Sequence, residues 1–373
     1  MATTYRRFTR IFFLALNVVA AVVFLLACLA PHLKPDKWWF ISLLGLGFVF
    51  IICTLIAFVL FWLIFKPKYV LISLIPMIIG WKSITVFFSF HIPSKFDYNK
   101  PDSVLRIAHW NVARFTEWRR NNNKGSQTRQ KMMDLIREQN ADVLCIEEFF
   151  TSTDTAYYDN MKYIMQELGY PFYKFSWGRE GKRAWSGEVI FSRKPIISGG
   201  VVRYPKPSMP ESLVHIDILY HTDTIRIYTT HLQSVKFKRQ EYDQIESIKN
   251  TDPGLVTHSK NIFYKLKQGV IYRSIQADVV KRELAASPYP FILTGDFNDV
   301  PNSYTYFTIK NDQMQDAFLS TGLGVGRTFS NIAPTLRIDY VFATKEFKIK
   351  QFNRIIRNLS DHYMLITDVE MRK

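Results

Sequence analysis

Three long apolar stretches dominate the first ninety residues of the chain. Residues 11–30 and 38–65 contain no charged side chain, and residues 69–90 contain only Lys82. At about 1.5 Å per residue, a helix of about twenty residues spans roughly 30 Å, the thickness of the hydrocarbon core of a bilayer. The stretches also lack the polar face of a buried soluble helix. The pattern predicts three membrane spans, although Pro76 leaves a re-entrant third segment as an alternative.

Basic residues flank these spans unevenly. Those before the first span and between the second and third have no acidic neighbour: Arg6, Arg7, Arg10, Lys66 and Lys68. The loop after the first span contains Lys34 and Lys37 together with Asp36. The positive-inside rule therefore places the N-terminus in the cytoplasm. Three crossings would leave the rest of the chain outside the cytoplasm, and this orientation reverses if the third stretch does not cross.

The first stretch also resembles a processing signal. Its preceding arginines and the run Leu25-Leu26-Ala27-Cys28 fit a secretory signal or a lipoprotein cleavage site. Twenty residues are long for the apolar part of a signal, and its removal would still leave two spans. The three cysteines, Cys28, Cys53 and Cys145, lie in two predicted spans and a predicted buried strand, so they indicate no disulfide framework.

A turn-rich linker at 93–102 separates this transmembrane segment, 1–92, from a second domain at 103–373. In that domain short apolar runs alternate with helical periods. Strands are predicted at 104–112, 141–146, 188–192, 212–219, 224–230, 291–294, 338–343 and 365–369, and helices at 127–139 and 270–286. The alternation is typical of an α/β or α+β domain. Polar residues cluster at the strand ends, where such folds place their ligands.

The charge is strongly positive over both parts of the chain. The net charge is +16, of which +7 lies in residues 1–99 and +9 in the remainder. A basic domain suits a polyanion or an anionic membrane surface, although an ordinary solvated surface has the same composition. Residues 233–267 combine seven basic residues with aromatic ones and are predicted to be an insertion beside the site. This insertion is expected either to contact lipid headgroups or a nucleic-acid backbone, or to be an exposed loop with no partner. Gly322, Gly324 and Gly326 lack a preceding strand, which favours a flexible loop over a phosphate-binding loop.

Two short motifs carry the chemistry. Gly295-Asp296-Phe297-Asn298 follows the apolar run Phe291-Ile292-Leu293, and Ser360-Asp361-His362 lies near the C-terminus. A buried strand that ends at a carboxylate and a carboxamide, with a second acid and a histidine elsewhere, suits a hydrated hard cation and a phosphate. These residues predict a phosphoester hydrolase.

Six motifs in order extend this prediction to a family: His109-Trp110-Asn111-Val112, 142–148, Thr230-His231-Leu232, 295–298, Arg337-Ile338-Asp339-Tyr340 and 360–362. Together they resemble the endonuclease/exonuclease/phosphatase superfamily over residues of about 100–373, with the membrane segment outside the resemblance. The resemblance implies a DNase I-like four-layered sandwich, in which two mixed β-sheets pack face to face with helices outside.

The resemblance also implies a metal site. Glu148 and Asp361 would bind the metal, Asp296 would contact it, and Asn111 would be a neutral ligand or a phosphate donor. Hard oxygen donors favour Mg²⁺, with Mn²⁺ as a substitute, and leave open whether one or two ions bind. Glu147 stands where the family usually has Gln, and as the neighbour of Glu148 in a strand it is expected to face the opposite side.

The remaining implied roles concern proton transfer and phosphate binding. Asp296 would orient or deprotonate the attacking water, and Asn298 would donate to a phosphate oxygen. Asp339 would set the tautomer of His362, which would stabilise the phosphoryl transition state or act as the base. His231 would contact the phosphate and protonate the leaving oxygen. Whether Asp296 or His362 takes the proton stays open.

These features predict a membrane-anchored, Mg²⁺-dependent phosphodiesterase or phosphatase that uses a metal-activated water. Anchoring favours a phospholipid or another surface substrate. A nuclease acting on DNA or RNA is the alternative, because the domain is basic and the family includes nucleases. A membrane-tethered binding domain that retains the fold without catalysis is an explanation of another class.

Overall fold

The computed structural model describes residues 2–92, 94–116, 127–208, 211–235 and 255–372. The N-terminal segment contains five α-helices and one 3₁₀ turn. In chain order these elements are α1 (Ala2–Cys28), α2 (Pro35–Leu46), α3 (Phe48–Phe65), the turn Pro67–Tyr69, α4 (Leu71–Ile79) and α5 (Trp81–Thr85).

Helices α1, α3 and α4 form a bundle through which the chain passes three times. Phe13 lies against Phe61 (ring centroids 5.0 Å apart) and Phe24 against Phe48 (5.4 Å), so α1 and α3 are antiparallel. The side chains of Asn17 and Ser73 exchange buried hydrogen bonds of 2.9 and 3.0 Å between α1 and α4. Further along both helices, a Cβ atom on the Gly80 backbone would lie 2.6 Å from Cys28 Sγ. Helix α4 therefore runs parallel to α1.

The bundle differs from the three continuous spans that the apolar pattern predicts. The predicted span 38–65 divides at Gly47 into α2, which packs on the second domain, and α3. The predicted span 69–90 is not one helix, because it breaks at Gly80 and ends in strand β1 (Ser89–Phe90). Within the described residues, two helices, Tyr5–Cys28 and Phe48–Phe65, are long and apolar enough to cross a membrane. Length and composition alone are weak evidence that they do.

The second domain is built on two sheets. The six-stranded sheet has the spatial order β11 (Met314–Asp316), β13 (Asp339–Thr344), β10 (Phe291–Asp296), β9 (Asp223–His231), β8 (Ser212–Tyr220), β7 (Ile196–Arg203). The seven-stranded sheet has the order β14 (Phe347–Ile355), β15 (Met364–Met371), β2 (Leu105–Asn111), β3 (Val143–Ser152), β6 (Ala184–Ser192), β4 (Phe172–Phe175), and β5 (Gly178–Arg179) pairs with β6. A short strand, β12 (Leu323–Gly324), pairs with β1.

The two sheets pack face to face through aliphatic side chains. Ile107 and Cys145 of one sheet belong to the same buried cluster as Ile216, Ile227 and Ile292 of the other. Helices α6 (Thr128–Gln139) and α7 (Asn160–Glu167) pack outside the seven-stranded sheet, and α8 (Leu255–Ala285) and α9 (Tyr304–Ile309) outside the six-stranded sheet. A short helix, α10 (Ala317–Thr321), precedes β12. The predicted architecture of two mixed sheets flanked by helices is confirmed.

Several local predictions differ from the structure. Helix α8 begins at Leu255, not near 270, so part of the predicted basic insertion is helical. Residues 236–254 of that insertion lie outside the described residues. The glycine-rich segment 322–326 is not simply a loop, because β12 pairs with β1. Strand β14 was not predicted, although its first four residues alternate between buried and exposed, as in an edge strand.

Strand direction brings the candidate residues to one edge of the sandwich. The parallel pairs β2–β3 and β9–β10 end at this edge, whereas the antiparallel strands β13 and β15 begin there. Asn111, His231 and Asp296 are therefore the last residues of their strands, and Asp339 is the first of its strand. Polar side chains from both sheets meet at this edge.

Candidate active site

Asp296 lies at the centre of a buried group of polar side chains. Its Oδ2 atom is 3.6 Å from Nε2 of His362, 3.6 Å from Nε2 of His231 and 3.1 Å from the Nδ2 donor of Asn111. Each of these side chains is about 95% buried or more. One carboxylate thus faces two imidazoles and an amide, with strands from both sheets contributing to the contact.

Asp339 binds His362 from the opposite side. Nδ1 of His362 lies 3.1 and 3.0 Å from the two carboxylate oxygens of Asp339, and Phe329 packs against the ring at 4.9 Å. The hydroxyl of Thr328 accepts the Asp339 backbone N–H, which holds the start of β13 in place. The imidazole is therefore fixed between two acids, each facing one ring nitrogen.

Glu148 occupies a bulge in β3 next to this group. The bulge interrupts the pairing of β3 with β6, and Glu148 has φ of +48°, in the left-handed region. Its Oε1 atom lies 4.0 Å from His231 Nε2 and 3.5 Å from Asn111 Nδ2. About 39% of the side chain is exposed, so the bulge directs this carboxylate to an accessible part of the site.

Glu147 points away from Glu148, as alternation along a strand predicts. Its carboxylate is fully buried between the sheets, where Oε2 lies 2.7 Å from His109 Nε2 and Oε1 accepts a hydrogen bond from Thr229. The acid in the family's usual Gln position thus joins β2, β3 and β9 beneath the site, and it does not face Glu148.

The side chains of Asn298 and Asn111 are held by hydrogen bonds that the sequence did not predict. Asn298 has φ of +52°, and its backbone N–H donates to Asp296 Oδ1, so the segment turns after Asp296 and is not extended as predicted. Its Nδ2 donates to the carbonyl of Leu232. Asn111 accepts the Ala113 N–H with its side-chain oxygen and turns its nitrogen to the acids. In this orientation Asn111 is a hydrogen-bond donor to the site.

Asp361 lies beside the group without joining its closest contacts. Ser360 Oγ donates to the backbone oxygen of Asn111 at 2.8 Å and is 3.2 Å from Asp361 Oδ1. The negative charge of Asp361 contributes to the raised pKa of His362. The structure therefore places all the predicted site residues at one edge, with Asp361 and Asn298 at its periphery.

Mutual electrostatics set the protonation of this site. Burial lowers the pKa of both imidazoles, but Asp339 and Asp296 raise the pKa of His362 well above its usual value, and carboxylates led by Glu211 and Asp296 raise that of His231 to about 9. Burial raises the pKa of Asp296 to about 6, although His362 opposes it. The pKa of Asp339 is lowered because His362 outweighs its burial. The surrounding carboxylates therefore favour the protonated form of both imidazoles.

The sequence of this chain matches a known protein family. Residues 108–362 match the Endonuclease/Exonuclease/phosphatase family, which is more than half of the chain. This chain belongs to the endonuclease/exonuclease/phosphatase family. Residues 9–87 match a separate domain of unknown function, DUF8431. No curated protein matches the chain.

Solved structures show the same family fold. Humanized D. rerio TDP2 carrying 14 mutations has 16% identity and a TM-score of 0.50, covering 72% of this chain and 100% of that one. The human Nocturnin catalytic domain with bound sulfate anion has 15% identity and a TM-score of 0.50, covering 72% and 94%. At these identities the likeness shows the fold alone.

The donor set of this family member fits a divalent cation. Within the described residues, ligand atoms of Asp296, Asp339 and His362 lie within 4.8 Å of one another. Asp339 binds Nδ1 of His362, so Nε2, which lies 3.6 Å from Asp296 Oδ2, is the ring nitrogen that remains for a ligand. The accessible carboxylate of Glu148 and the nearby Asp361 offer hard oxygen ligands, which Mg²⁺ prefers.

The motifs did not reveal a second acidic pair, which lies behind His231. Glu188 on β6 and Glu211 before β8 are both buried, and both raise the pKa of His231. Ser212 donates a hydrogen bond to Glu188. A charged residue at the start of the apolar run 189–191 was the available signal in the sequence. Burial raises the pKa of Glu188 to about 7, partly opposed by His231.

This shift predicts how Glu188→Gln changes stability with pH. Because the folded-state pKa lies above the ordinary value of 4.5, ionisation of Glu188 opposes folding from about pH 4.5 upward and fully above about pH 7. Glutamine cannot ionise but can still accept the Ser212 hydrogen bond. The melting temperature of the variant relative to wild type should therefore rise between pH 5 and pH 8. Exposed Glu138→Gln is the control, and an unchanged or falling difference for Glu188→Gln would contradict the assignment.

Proposed function

We propose that this family member is a membrane-anchored, divalent-metal-dependent hydrolase of phosphoester bonds. The observation that carries the proposal is the position of Asp296, whose carboxylate faces His231, His362 and Asn111 at one buried point. A cluster of buried acids and imidazoles returns little net stability even when its charges are paired, because the cost of removing them from water offsets their attraction, so catalysis accounts for the cluster better than a scaffold does.

Each side chain of the site has its own role in the proposed reaction. Asp296 orients the attacking water and accepts its proton, because Asp339 and Asp296 raise the pKa of His362 and so favour the protonated form of that imidazole. His362, held by Asp339, places its positive charge where the phosphoryl group gains negative charge in the transition state. His231 donates a proton to the leaving oxygen, and Asn111 donates a hydrogen bond to a phosphate oxygen. Asn298 has one side-chain N–H engaged by Leu232 and offers the other to the phosphate.

Glu148 and Asp361 would hold a Mg²⁺ ion, or Mn²⁺ in its place. When bound, the ion supplies Lewis-acid polarisation of the phosphoryl oxygen. The bulge at Glu148 keeps this carboxylate exposed enough for a hydrated ion to reach it.

The helical bundle supports the membrane anchor. Most of the exposed large hydrophobic side chains in the described part of the chain lie before residue 93, and many are more than half exposed, including Phe12, Val19, Phe50, Leu63 and Ile78. Such a surface is stable in lipid and not in water. The third pass, α4 and α5, returns the chain to the end of the bundle that carries the catalytic domain.

Charge supports one orientation of this bundle. The N-terminus of α1 and the turn after α3 lie at the same end, because Phe13 packs on Phe61 and Trp62 packs on Tyr69. The basic residues with no acidic neighbour meet at this end: Arg6, Arg7, Arg10, Lys66 and Lys68. The positive-inside rule places this end in the cytoplasm and the catalytic domain on the other side.

An aromatic surface where helix α2 meets helix α8 favours a phospholipid substrate. Helix α2 joins the end of α1 to the start of α3 and so lies where the bundle meets the domain. Trp39 of α2 packs on Phe263 of α8 (5.2 Å), with Lys267 Nζ 4.9 Å from its ring. Around this contact lies the interfacial surface, which we define by four exposed aromatic side chains: Trp38, Phe40, Phe263 and Tyr264. Aromatic and basic residues together favour the headgroup region of a bilayer.

Hydrolysis by the purified full chain tests the catalytic proposal. With Mg²⁺, wild type should hydrolyse a chromogenic phosphodiester, bis(p-nitrophenyl) phosphate, and lose this activity on chelation. Asp296→Asn and His362→Gln should each lower kcat by about 10²- to 10⁴-fold, the usual contribution of a group that acts in proton transfer. Asp223→Asn, an exposed acid on β9, is the control. Lack of hydrolysis by wild type on this diester, phospholipid vesicles and DNA alike would favour a binding domain.

The substrate class is tested through the interfacial surface. The double variant Phe263→Ala and Tyr264→Ala should lower the rate on phosphatidylglycerol vesicles by about tenfold, equivalent to about 1.4 kcal/mol of surface binding. The rate on the soluble diester should stay unchanged. Phe172→Ala, an exposed aromatic on β4, is the matched control. Hydrolysis of single-stranded DNA without hydrolysis of vesicle lipid would instead identify a nuclease.

Reporter fusions test the orientation. Alkaline phosphatase fused after Lys373 should be active, because that enzyme folds only outside the cytoplasm, whereas the same fusion after Lys68 should be inactive. Green fluorescent protein at the two sites should give the opposite result. Fluorescence from the fusion after Lys373 would show that the third pass does not cross.

A further inference from the structure

The loop that follows Asp296 packs directly on the N-terminal helices. We call residues 297–302 the catalytic loop, since it begins beside Asp296 and contains Asn298. Nδ2 of Asn302 donates a 2.9 Å hydrogen bond to the carbonyl of Ala27 in the last turn of α1. The loop also approaches α2 so closely that a Cβ atom at Gly45 would lie 2.6 Å from the Asn302 carbonyl oxygen. Phe297, Val300 and Phe48 of α3 belong to one buried cluster.

A second contact joins the N-terminal helices to the residues just before β13, the strand that begins with Asp339. Arg337 is fully buried, and its Nη2 donates a 2.6 Å hydrogen bond to the carbonyl of Val86 at the end of α5. Its Nη1 donates to Asp316. The hydroxyl of Tyr340 lies 2.8 Å from the Asp299 carbonyl and 2.7 Å from that of Arg337, so it links this contact to the catalytic loop.

These contacts have the chemistry of helix capping. Ala27 and Val86 lie at the C-terminal ends of α1 and α5, where the last carbonyl groups have no N–H partner further along the helix, and the Ala27 carbonyl also accepts the N–H of Ala30 in the turn after α1. Asn302, four residues after Asn298, donates a hydrogen bond to the end of α1. Arg337, two residues before Asp339, brings a cation to the end of α5. Because the Asn302 and Arg337 side chains are buried, breaking either hydrogen bond leaves a buried polar group without that partner.

We propose that the N-terminal helical segment is a structural part of the active site and not merely an anchor. Its helices hold the catalytic loop and the approach to Asp339 in the positions that bring Asp296 and Asp339 onto His362. Gly45, Asn302 and Arg337 are the positioning residues of this contact. This inference gives a role to the segment that matches DUF8431, and it rests on the proposed function.

Two glycines of the same segment provide a matched test. In Gly45→Ala the new methyl group would displace the backbone of Asn302, whereas in Gly47→Ala the nearest atom would lie 3.8 Å away, at ordinary contact distance. Measured on the full chain in lipid nanodiscs, Gly45→Ala should lower kcat on the soluble phosphodiester at least tenfold and leave KM within twofold, because a misplacement of about 1 Å can cost about a hundredfold in rate. Gly47→Ala should keep the wild-type kcat.

Hydrogen exchange provides a readout that does not need activity. Backbone amides of residues 297–302 should exchange faster in Gly45→Ala than in Gly47→Ala or wild type, at temperatures well below unfolding. Asn302→Ala, which inserts no atoms, should shift kcat and exchange in the same direction, with exposed Asn311→Ala as its control. Wild-type kcat and wild-type exchange in both Gly45→Ala and Asn302→Ala would overturn the inference. An inactive wild type with the exchange difference intact would overturn the proposed function alone.

Discussion

The contact of His362 with Asp339 and Asp296 is the constraint on which the rest of the site depends. His362 precedes β15 of the seven-stranded sheet, whereas both acids belong to the six-stranded sheet. A buried imidazolium costs several kcal/mol unless acids compensate it, and the acids have the same need for a cation. The two sheets are therefore held at the separation at which these charges pair. His231, Asn111 and Glu148 join the same carboxylate or its neighbours, so their positions follow from that separation.

Polar contacts below and beside the site extend this constraint. Glu147 of β3 contacts His109 of β2 and Thr229 of β9 between the sheets. Its neighbour Glu148, in the bulge of β3, faces the accessible side of the site. Beside the site, the catalytic loop and Arg337 contact the ends of the N-terminal helices α1 and α5. The edge of the sandwich that carries the candidate site is thus in contact with the N-terminal helices.

The positions of the motifs predicted much of the site because the motifs lie at the ends of predicted strands. Asn111, His231 and Asp296 each follow an apolar run, and parallel strands end at the same edge of a sheet. Predictions that depended on a segment's partners were less accurate. The apolar run 38–65 gave no sign that α2 leaves the bundle to pack on α8, because a helix buried in protein and one buried in lipid have similar composition. Asn298 was expected in an extended segment, but the Asp296 side chain captures its backbone N–H and turns the chain.

The order of residues along the chain was enough to establish the apolar segments, the α/β class and the type of chemistry, since each depends on local periodicity or on a short motif. It could not establish which nitrogen of His362 faces which acid, that Glu188 and Glu211 stand behind His231, or that Gly45 touches the catalytic loop. Those relations join residues far apart along the chain. They exist only once the two sheets and the helical bundle have packed, because burial and the distance between charges are properties of the packed molecule.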